Sequence, residues 1–396
     1  MVRNLLVERK TDKILVFLFA LSLLCITIGK IAPSWLDEAI AVSLFMFMFL
    51  AYKPFRHTEF KVFVLIMLGY LLYSFILGVN VPQAAIFDLM QFMKPFISFY
   101  AIYYASVRMS GKTLKKFSLF CIILGMFFYL SLPYIAYVYG NSAGLANASL
   151  LVSFTYYAFS RQDKRAKFIA LLILFPGFFA LKAKFVATFV FFVYIIFFLK
   201  ERIKFNIKYI CLISLLVGVA IYFNFEKFSA YFITGFEDGM ARAYLYYYGF
   251  VILFTYIPFG SGLGTFGTEA TRQYYSPLYY KYGINEVWGC APEDAGTAFS
   301  FIADTFFPVL AEFGICGVIL FFVFWKRRYK TICLLKMNMY KMGIIMIFFV
   351  MIHSVADSGI MLGPSSISTF MLLGYICSQW RLENELKKRM LKTHSC

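Results

Sequence analysis

The sequence predicts an all-α polytopic membrane protein, a single membrane domain over residues 1–396 with about 12 transmembrane helices. Hydrophobic residues make up 62% of the chain, and its mean hydropathy is +0.76. Soluble domains are far less apolar than this. Apolar runs of roughly 15–22 residues recur from end to end, which is the length that crosses a bilayer. One long polar loop interrupts this pattern, and polar loops of this length usually carry function.

The apolar runs give the predicted spans one by one. Residues 168–199 are too long for one span and both of their flanks are basic, so they predict a hairpin with Lys182 and Lys184 at its turn. The spans lie at residues 14–32, 36–52, 62–79, 85–107, 117–139, 143–160, 168–181, 185–199, 207–223, 305–325, 342–358 and 365–380.

Basic residues fix the predicted orientation, because positive charge concentrates on the cytoplasmic side of membrane proteins. The net charge of +18 is therefore a topology signal and does not indicate nucleic-acid binding. Both termini are expected in the cytoplasm. Of the 38 Lys and Arg residues, 30 fall in clusters at alternate connections, at residues 3–13, 53–61, 108–116, 161–167, 200–208, 326–341 and 381–392.

The long polar loop, Asn224–Asp304, is placed by the same rule on the outer side of the membrane, which is the periplasmic side in a bacterial inner-membrane protein. Within it, Tyr244–Phe259 is apolar enough to resemble a further span. If it crossed the membrane, however, the basic cluster at residues 326–328 would lie outside. We therefore expect a re-entrant or interfacial helix, which is tolerated where protein or a water-filled cavity surrounds it.

Three basic residues are expected near the outer surface, where cations are rare in this chain. Lys182 and Lys184 predict a clamp on an anionic headgroup, and the alternative is that both ammonium groups reach for ordinary lipid headgroups. Arg242 predicts binding of a diphosphate, since its guanidinium offers a fixed fork of donors. The alternative for Arg242 is a salt bridge to Glu237 or Asp238.

Lys94 is a fourth candidate for diphosphate binding and lies inside the fourth predicted span. Asp88, Gln91 and Lys94 are three residues apart, so they share one face of a helix. Charged residues within spans face the interior of the helix bundle and usually have a function. An Asp88–Lys94 pair that only holds helices together is the alternative.

Two groups are candidates for a general base in catalysis. Asp304, at the outer mouth of the tenth span, is the first choice, although a carboxylate there is also favoured as a helix cap. His353 is the second choice. It stands four residues before Asp357, and an Asp–His pair orients a base, but a buried structural histidine fits the same pattern.

The loop also holds a glycine run, residues 260–267, and a tyrosine-rich stretch. The glycines predict a sharp turn that approaches a ligand closely. Tyrosines suit stacking on sugar rings, and an interfacial tyrosine belt is the alternative. With three His and scattered Cys, neither a metal site nor a cofactor is expected. The predicted sugar-binding residues are Arg272, Tyr274, Tyr275, Tyr279 and Tyr280.

In this order, these motifs resemble the bacterial O-antigen polymerase and O-antigen ligase family, with the polymerase branch fitting better. The chain departs from the family at two places. It has Ala183-Lys184 where Ser-Arg is frequent, and Asp304-Thr305 near a His-Asn pair of the ligases. The matching features are the basic hairpin turn, Ala241-Arg242, residues 258–267, residues 274–280, Phe301-Ile302-Ala303-Asp304 and Gly314-Ile315-Cys316-Gly317.

The resemblance implies a glycosyltransferase that joins oligosaccharide repeat units carried on undecaprenyl diphosphate. Such an enzyme works without a metal at the outer leaflet of the bacterial inner membrane, and a chain-length-determinant protein is an expected partner. Because diphosphate is a good leaving group, the transition state needs cations more than an acid. The alternatives are a flippase for lipid-linked oligosaccharides, which would show internal repeats that the sequence lacks, and an O-antigen ligase.

Overall fold

A computed structural model describes residues 9–33, 35–52, 57–140, 142–203, 229, 234–296, 306–356 and 365–393. These residues are mostly helical and contain no strand, which confirms the predicted all-α class for the described part of the chain. The predicted span at 207–223 and the candidate base Asp304 lie outside the described residues, and so does Asp357.

The described helices overlap the predicted spans, with one clear difference: the span predicted at residues 305–325 is divided into the helices Phe306–Ala311 and Gly314–Cys333. Short 3-10 and π turns extend several of them, notably at Phe175–Ala180 and Tyr194–Phe198. The helices are α1 Lys10–Ile28, α2 Leu36–Tyr52, α3 Thr58–Leu77, α4 Pro82–Ala105, α5 Gly111–Ser131, α6 Ile135–Tyr139, α7 Ser142–Phe159, α8 Lys164–Leu174, α9 Ala183–Val193, α10 Ala241–Thr255, α11 Glu269–Gln273, α12 Pro277–Lys281, α13 Phe306–Ala311, α14 Gly314–Cys333, α15 Met337–Ala356 and α16 Ser365–Thr393.

Four helical stretches among the described residues are long and apolar enough to cross a membrane, and they indicate a membrane protein. A shorter apolar helix covers Ala183–Phe198. The predicted number of 12 crossings stays a prediction. The four stretches are Lys10–Ile31, Thr58–Leu77, Gly111–Tyr139 and Met337–Val355.

Helices α4 and α16 make the most extensive contact between described elements and form the centre of the bundle. Gly374 in α16 lies directly against α4, since a Cβ atom added there would come within 2.6 Å of the Phe99 carbonyl oxygen. Small residues at such crossings let two helices approach closely. The α4 residues Ile97–Ala105 are all buried in this contact.

One end of the bundle, which we call the loop end, is where α3 ends and where α4 and α14 begin. Contacts bring these helix ends together. The Tyr70 hydroxyl in α3 donates to the Phe313 carbonyl at 2.8 Å, and the rings of Phe92 in α4 and Phe313 lie 4.9 Å apart. From this end α14 runs away to a three-residue turn, residues 334–336, and α15 returns.

Helix α9 runs antiparallel to α15, which brings its first residues to the loop end as well. Thr188 contacts His353 near the end of α15, and the Phe191 ring stacks on Phe348 with centroids 3.6 Å apart. The turn before α9, residues 181–184, therefore lies at the loop end together with His353. The sequence predicted this arrangement from the basic flanks of residues 168–199.

The described part of the long loop, residues 234–296, is folded, and we call it the loop segment. It contains α10 to α12 and has its own small hydrophobic core. Helix α10 lies where the sequence predicted a re-entrant or interfacial helix. It exposes Tyr247, Phe250 and Phe254. Its depth in a membrane stays a prediction. The core includes Leu245, Ile252, Phe266, Leu278, Tyr279, Ile284 and Cys290.

Residues 260–268, the glycine turn, fasten the loop segment to the bundle and are buried throughout. Gly260 and Gly264 have φ angles of +80° and +71°, a region that favours glycine. A Cβ atom would lie 2.5 Å from the Ala311 carbonyl oxygen at Gly260 and 2.6 Å from the Ala84 carbonyl carbon at Gly264. The close approach predicted from the glycines is therefore to the protein's own helices and not to a ligand.

Replacing Gly264 by alanine is expected to destabilise the protein. A left-handed φ costs a residue with a side chain about 1–3 kcal/mol, and the contact with Ala84 adds an overpacking cost of about 1–3 kcal/mol. The measurement is the apparent Tm in detergent.

Gly283→Ala is the matched control, since Gly283 has a φ of +66° but no heavy atom within 4 Å of an added Cβ. It therefore carries the backbone cost alone. Equal losses of Tm in the two variants would contradict the close packing of the glycine turn on α4.

Candidate functional site

Each amide of the glycine turn from Ser261 to Gly267 donates to an acceptor in the bundle or in the loop segment. Side-chain acceptors come from α3, α4, Glu312 and Tyr279 of α12. Main-chain acceptors come from residues 311 and 312. Since a buried N–H without a partner costs about 1–3 kcal/mol, this series holds the turn in one conformation. The donors and acceptors are Ser261 N to Ala311 O, Gly262 N to Glu312 O, Leu263 N to Ser74 Oγ, Gly264 N to Asp88 Oδ2, Thr265 N and Phe266 N to Glu312 Oε1, and Gly267 N to the Tyr279 hydroxyl.

Two fully buried carboxyl groups lie at the centre of this network. Glu312 Oε1 accepts from Thr265 N at 2.7 Å and from Phe266 N at 2.8 Å, and Asp88 Oδ2 accepts from Gly264 N at 3.0 Å. Asp88 and Glu312 also interact directly with each other. Their remaining oxygens, Oδ1 and Oε2, are buried without a well-aligned donor. The pair thus joins α4 to the start of α14 through the glycine turn.

Lys94 does not pair with Asp88, as one interpretation of the sequence suggested, but with the first turn of α2. Its Nζ atom lies 2.6 Å from Glu38 Oε1 and 3.2 Å from Asp37 Oδ2. The side chain is 6% exposed. Lys94 is therefore engaged with two acidic side chains inside the bundle. These contacts correspond to a helix-linking ion pair and give no support to the predicted diphosphate contact.

Lys182 and Lys184 flank the start of α9 at the loop end, as predicted, and both side chains are partly exposed. Lys182 is the N-cap residue, and its carbonyl accepts from Phe185 N and Val186 N. Leu181 before it has a φ of +50°, which is uncommon for a leucine. The turn thus places two partly exposed lysines at the loop end, and the clamp on an anionic headgroup stays a prediction.

His353 is next to this turn but is fully buried. Thr188 Oγ1 donates to the Lys184 carbonyl at 2.8 Å and lies 3.3 Å from His353 Nε2. The imidazole also packs on the Phe349 ring with centroids 4.4 Å apart. These contacts fit the alternative that His353 is a buried structural histidine. For His353 to act as a base, the site would have to open.

Arg242 is the second residue of α10 and is partly exposed. The N-terminal turn of a helix carries unpaired amides and a partial positive charge, which favours an anion. The guanidinium adds a full charge at the same place. Arg242 stays a predicted diphosphate contact.

The tyrosine-rich stretch divides into a buried and an exposed part. Tyr279 is fully buried, and its hydroxyl accepts from Gly267 N at 3.1 Å and contacts Thr271 Oγ1. It supports the glycine turn and cannot stack on a sugar in this arrangement, contrary to the prediction. Tyr280 is 58% exposed and Tyr274 is partly exposed, so these two rings stay candidates.

The remaining predicted sugar-binding residues have partners within the loop segment. Tyr275 donates to the Cys290 carbonyl at 2.8 Å, and burial raises the pKa of its phenol. Arg272 pairs with Glu269. Burial raises the pKa of the Glu269 carboxyl, and the nearby Arg272 opposes this shift. Burial also raises the pKa of the Cys290 thiol to about 12, so this thiol is protonated and unreactive near neutral pH.

The sequence argument did not single out Glu312 or Asn80, which both hold the glycine turn. Glu312 is a lone acid in the apolar run Phe306–Ile315. An acid within such a run is a signal that was available in the sequence. Asn80 sits between α3 and α4 and donates to the Gly264 and Tyr274 carbonyls. Nothing in the local pattern distinguishes it from an ordinary turn asparagine.

Comparisons of the chain with models of protein families, with curated proteins and with solved structures found no match.

Glu312→Ala is expected to lower the apparent Tm strongly, because two buried amides lose their acceptor at about 1–3 kcal/mol each. Glu312→Gln is expected to retain Tm. The glutamine carbonyl still accepts both amides, its NH₂ group supplies a donor to Asp88, and the repulsion between two neighbouring acids is removed. Thermal unfolding in detergent measures both variants.

The control is Glu269→Ala, which removes a partly exposed ion pair with Arg272 and is expected to cost less than about 1 kcal/mol. A Glu312→Gln variant as unstable as Glu312→Ala would show that the network requires a charged carboxylate. That result would contradict the hydrogen-bonding account.

Proposed function

We propose that the chain is a polymerase of surface polysaccharide that transfers glycans from a lipid diphosphate at the outer face of a bacterial inner membrane. In this proposal the chain crosses the membrane 12 times, both termini are cytoplasmic and the loop end faces the periplasm. The observation that carries the proposal is a folded loop segment, locked by the glycine turn onto the end of the bundle that also presents Lys182 and Lys184. An ordered wall and a cationic turn at one end of a bundle suit an enzyme that binds a polar headgroup beside the membrane.

The reaction joins two repeat units, each carried on undecaprenyl diphosphate. A hydroxyl oxygen of the acceptor glycan forms a bond to the anomeric carbon of the donor. The bond from that carbon to the phosphate oxygen breaks, and undecaprenyl diphosphate leaves with the electron pair. The hydroxyl proton passes to a base, for which Asp304 is the first candidate. Cations placed where negative charge gathers on the leaving diphosphate lower the barrier.

The candidate residues take complementary roles in this scheme. Lys182, Lys184 and Arg242 bind the diphosphate, and the exposed Tyr280 and partly exposed Tyr274 contact sugars. The reaction needs no metal, because these cations take the place that a metal has in other diphosphate chemistry. A chain-length-determinant protein is the expected partner.

A flippase for lipid-linked oligosaccharides is the second candidate, favoured by the charged groups buried in the bundle. Those groups have internal partners, however. Lys94 pairs with Asp37 and Glu38, and Asp88 accepts from the glycine turn. A charged group that holds helices together is less suited to binding a substrate as it crosses the membrane. An O-antigen ligase shares the chemistry and differs in its acceptor.

Arg242→Ala is expected to abolish long polymer while single repeat units remain. Loss of one cation that stabilises transition-state charge typically lowers a rate about 10²–10³-fold. The measurement is the glycan ladder on a gel in cells whose own gene is replaced by the variant, together with Tm of the purified protein.

The matched control is Lys336→Ala, which removes an exposed cation from the turn at the other end of the bundle and is expected to keep the ladder. A normal ladder from Arg242→Ala would show that Arg242 does not bind the diphosphate. Lipid-linked units accumulating on the inner leaflet of the deletion strain would favour the flippase, and loss of core attachment alone would favour the ligase.

Cysteine labelling tests the proposed sidedness. Tyr280→Cys in the loop segment and Leu334→Cys in the α14–α15 turn replace exposed side chains, 58% and 59% accessible respectively. In an otherwise cysteine-free chain, a membrane-impermeant maleimide is expected to label Tyr280→Cys in intact spheroplasts. Labelling of Leu334→Cys is expected only after permeabilisation, and the reverse pattern would overturn the topology.

A further inference from the structure

We propose that a groove between α3 and α14 binds the polyprenyl chain of a lipid-linked substrate. The proposal rests on the function proposed above and adds a site for the hydrocarbon part of the substrate. The groove has a volume of about 520 Å³, within the range of ligand sites. Its walls include Ile66, Gly69, Tyr73, Phe259, Cys316 and Leu320.

The groove is apolar because the hydroxyl groups of its tyrosines are turned into the protein. The Tyr70 hydroxyl donates to the Phe313 carbonyl and the Tyr73 hydroxyl donates to the Gly260 carbonyl, both at 2.8 Å. Only the rings are left to form the wall. The wall also includes Ile319, an apolar side chain that is 56% exposed. A site of this composition takes hydrocarbon and gives no hydrogen bond to a sugar or a peptide.

Together with a neighbouring cavity of about 170 Å³, the groove is longer than one leaflet of a bilayer. The two cavities share the wall residues Ile66, Tyr70 and Leu320, and the walls of the second reach Glu59 and Arg327. From Tyr73 to Glu59 on α3 this is about 21 Å, and from Cys316 to Arg327 on α14 about 16 Å, at 1.5 Å per residue. Half of the hydrocarbon core is about 15 Å. A chain that fills the groove passes the bilayer midplane, which suits a long polyprenyl chain better than the acyl chain of a phospholipid.

The mouth of the groove lies beside the glycine turn, and a series of contacts links it to Lys281. Tyr73 bonds the Gly260 carbonyl, and Gly260 N donates to the Tyr256 carbonyl at 2.7 Å. The Nζ atom of Lys281 in turn lies 3.3 Å from the Tyr256 hydroxyl. Lys281 is exposed, so its charge is available to a phosphate. A lipid with its chain in the groove thus has its phosphates at the loop end.

Arg242 lies at the opposite end of α10 from this mouth, about 20 Å away along the helix axis. The polymerase needs two lipid-linked substrates, a donor and an acceptor. With the donor diphosphate at Arg242, the lipid in the groove is the carrier of the acceptor, whose glycan spans the distance between them.

Gly69 provides the test, because a Cβ added there meets no heavy atom within 4 Å. Gly69→Trp therefore fills the groove without disturbing the protein. Leu72→Trp is the matched control, since Leu72 is on the same helix and exposed but does not line the groove. Gly69→Leu is a smaller second variant, and unchanged Tm confirms that each variant is folded.

The readout is photolabelling of the full-length protein in nanodiscs by polyprenyl diphosphate with a diazirine on its chain, mapped to peptides by mass spectrometry. Labelling of α3 and of the Cys316 region of α14 is expected, with at least a tenfold loss in Gly69→Trp and none in Leu72→Trp. Undiminished labelling in Gly69→Trp would overturn the proposal. Equal labelling by a diazirine phosphatidylethanolamine, or crosslinks to a second copy, would also overturn it.

This readout needs no glycan transfer, so it tests lipid binding in the groove separately from polymerase activity. If the groove is labelled but no polymer forms from supplied repeat units, the lipid-binding groove is supported and the polymerase function is contradicted. If polymer forms but the label lies outside the groove, the polymerase function is supported and the lipid-binding groove is contradicted.

Discussion

The structure depends on one constraint: a run of buried amides in the glycine turn must find acceptors. A loop that enters a helix bundle brings polar main chain into an apolar environment, where each unpaired N–H is costly. Here each amide from Ser261 to Gly267 has an acceptor, and Glu312 alone provides three through Oε1 and its carbonyl. The placement of the loop segment on α3, α4 and α14 follows from this.

Most of the helical architecture was predictable from the sequence, because apolar runs of span length and the alternation of basic clusters are strong local signals. The hairpin at residues 168–199 shows this well, since its turn reaches the loop end beside His353 as the charges indicated. Where helices contact each other was not predictable. The choice of Lys94 between Asp88 on its own helix and Asp37 on α2 is decided by packing alone.

The residues of the candidate site were predictable only in part, and its location stays a prediction. Tyr279 and Tyr280 are neighbours of the same type, yet one supports the glycine turn and the other is exposed, since adjacent helical residues face different directions. Glycines indicated close approach correctly, but a glycine pattern does not tell whether the partner is a ligand or another helix. The role of Glu312 follows only from the structure, in which its Oε1 atom accepts from the amides of the glycine turn.

The bonds of Glu312 also limit how the molecule moves. Because one residue at the head of α14 holds the glycine turn by side chain and main chain, the loop segment and α14 behave as one rigid body with the start of α4. A gate between these elements would break several hydrogen bonds at once. Admission of a bulky glycan is therefore expected to depend on displacement of the turn before α9, where Leu181 holds a disfavoured backbone conformation.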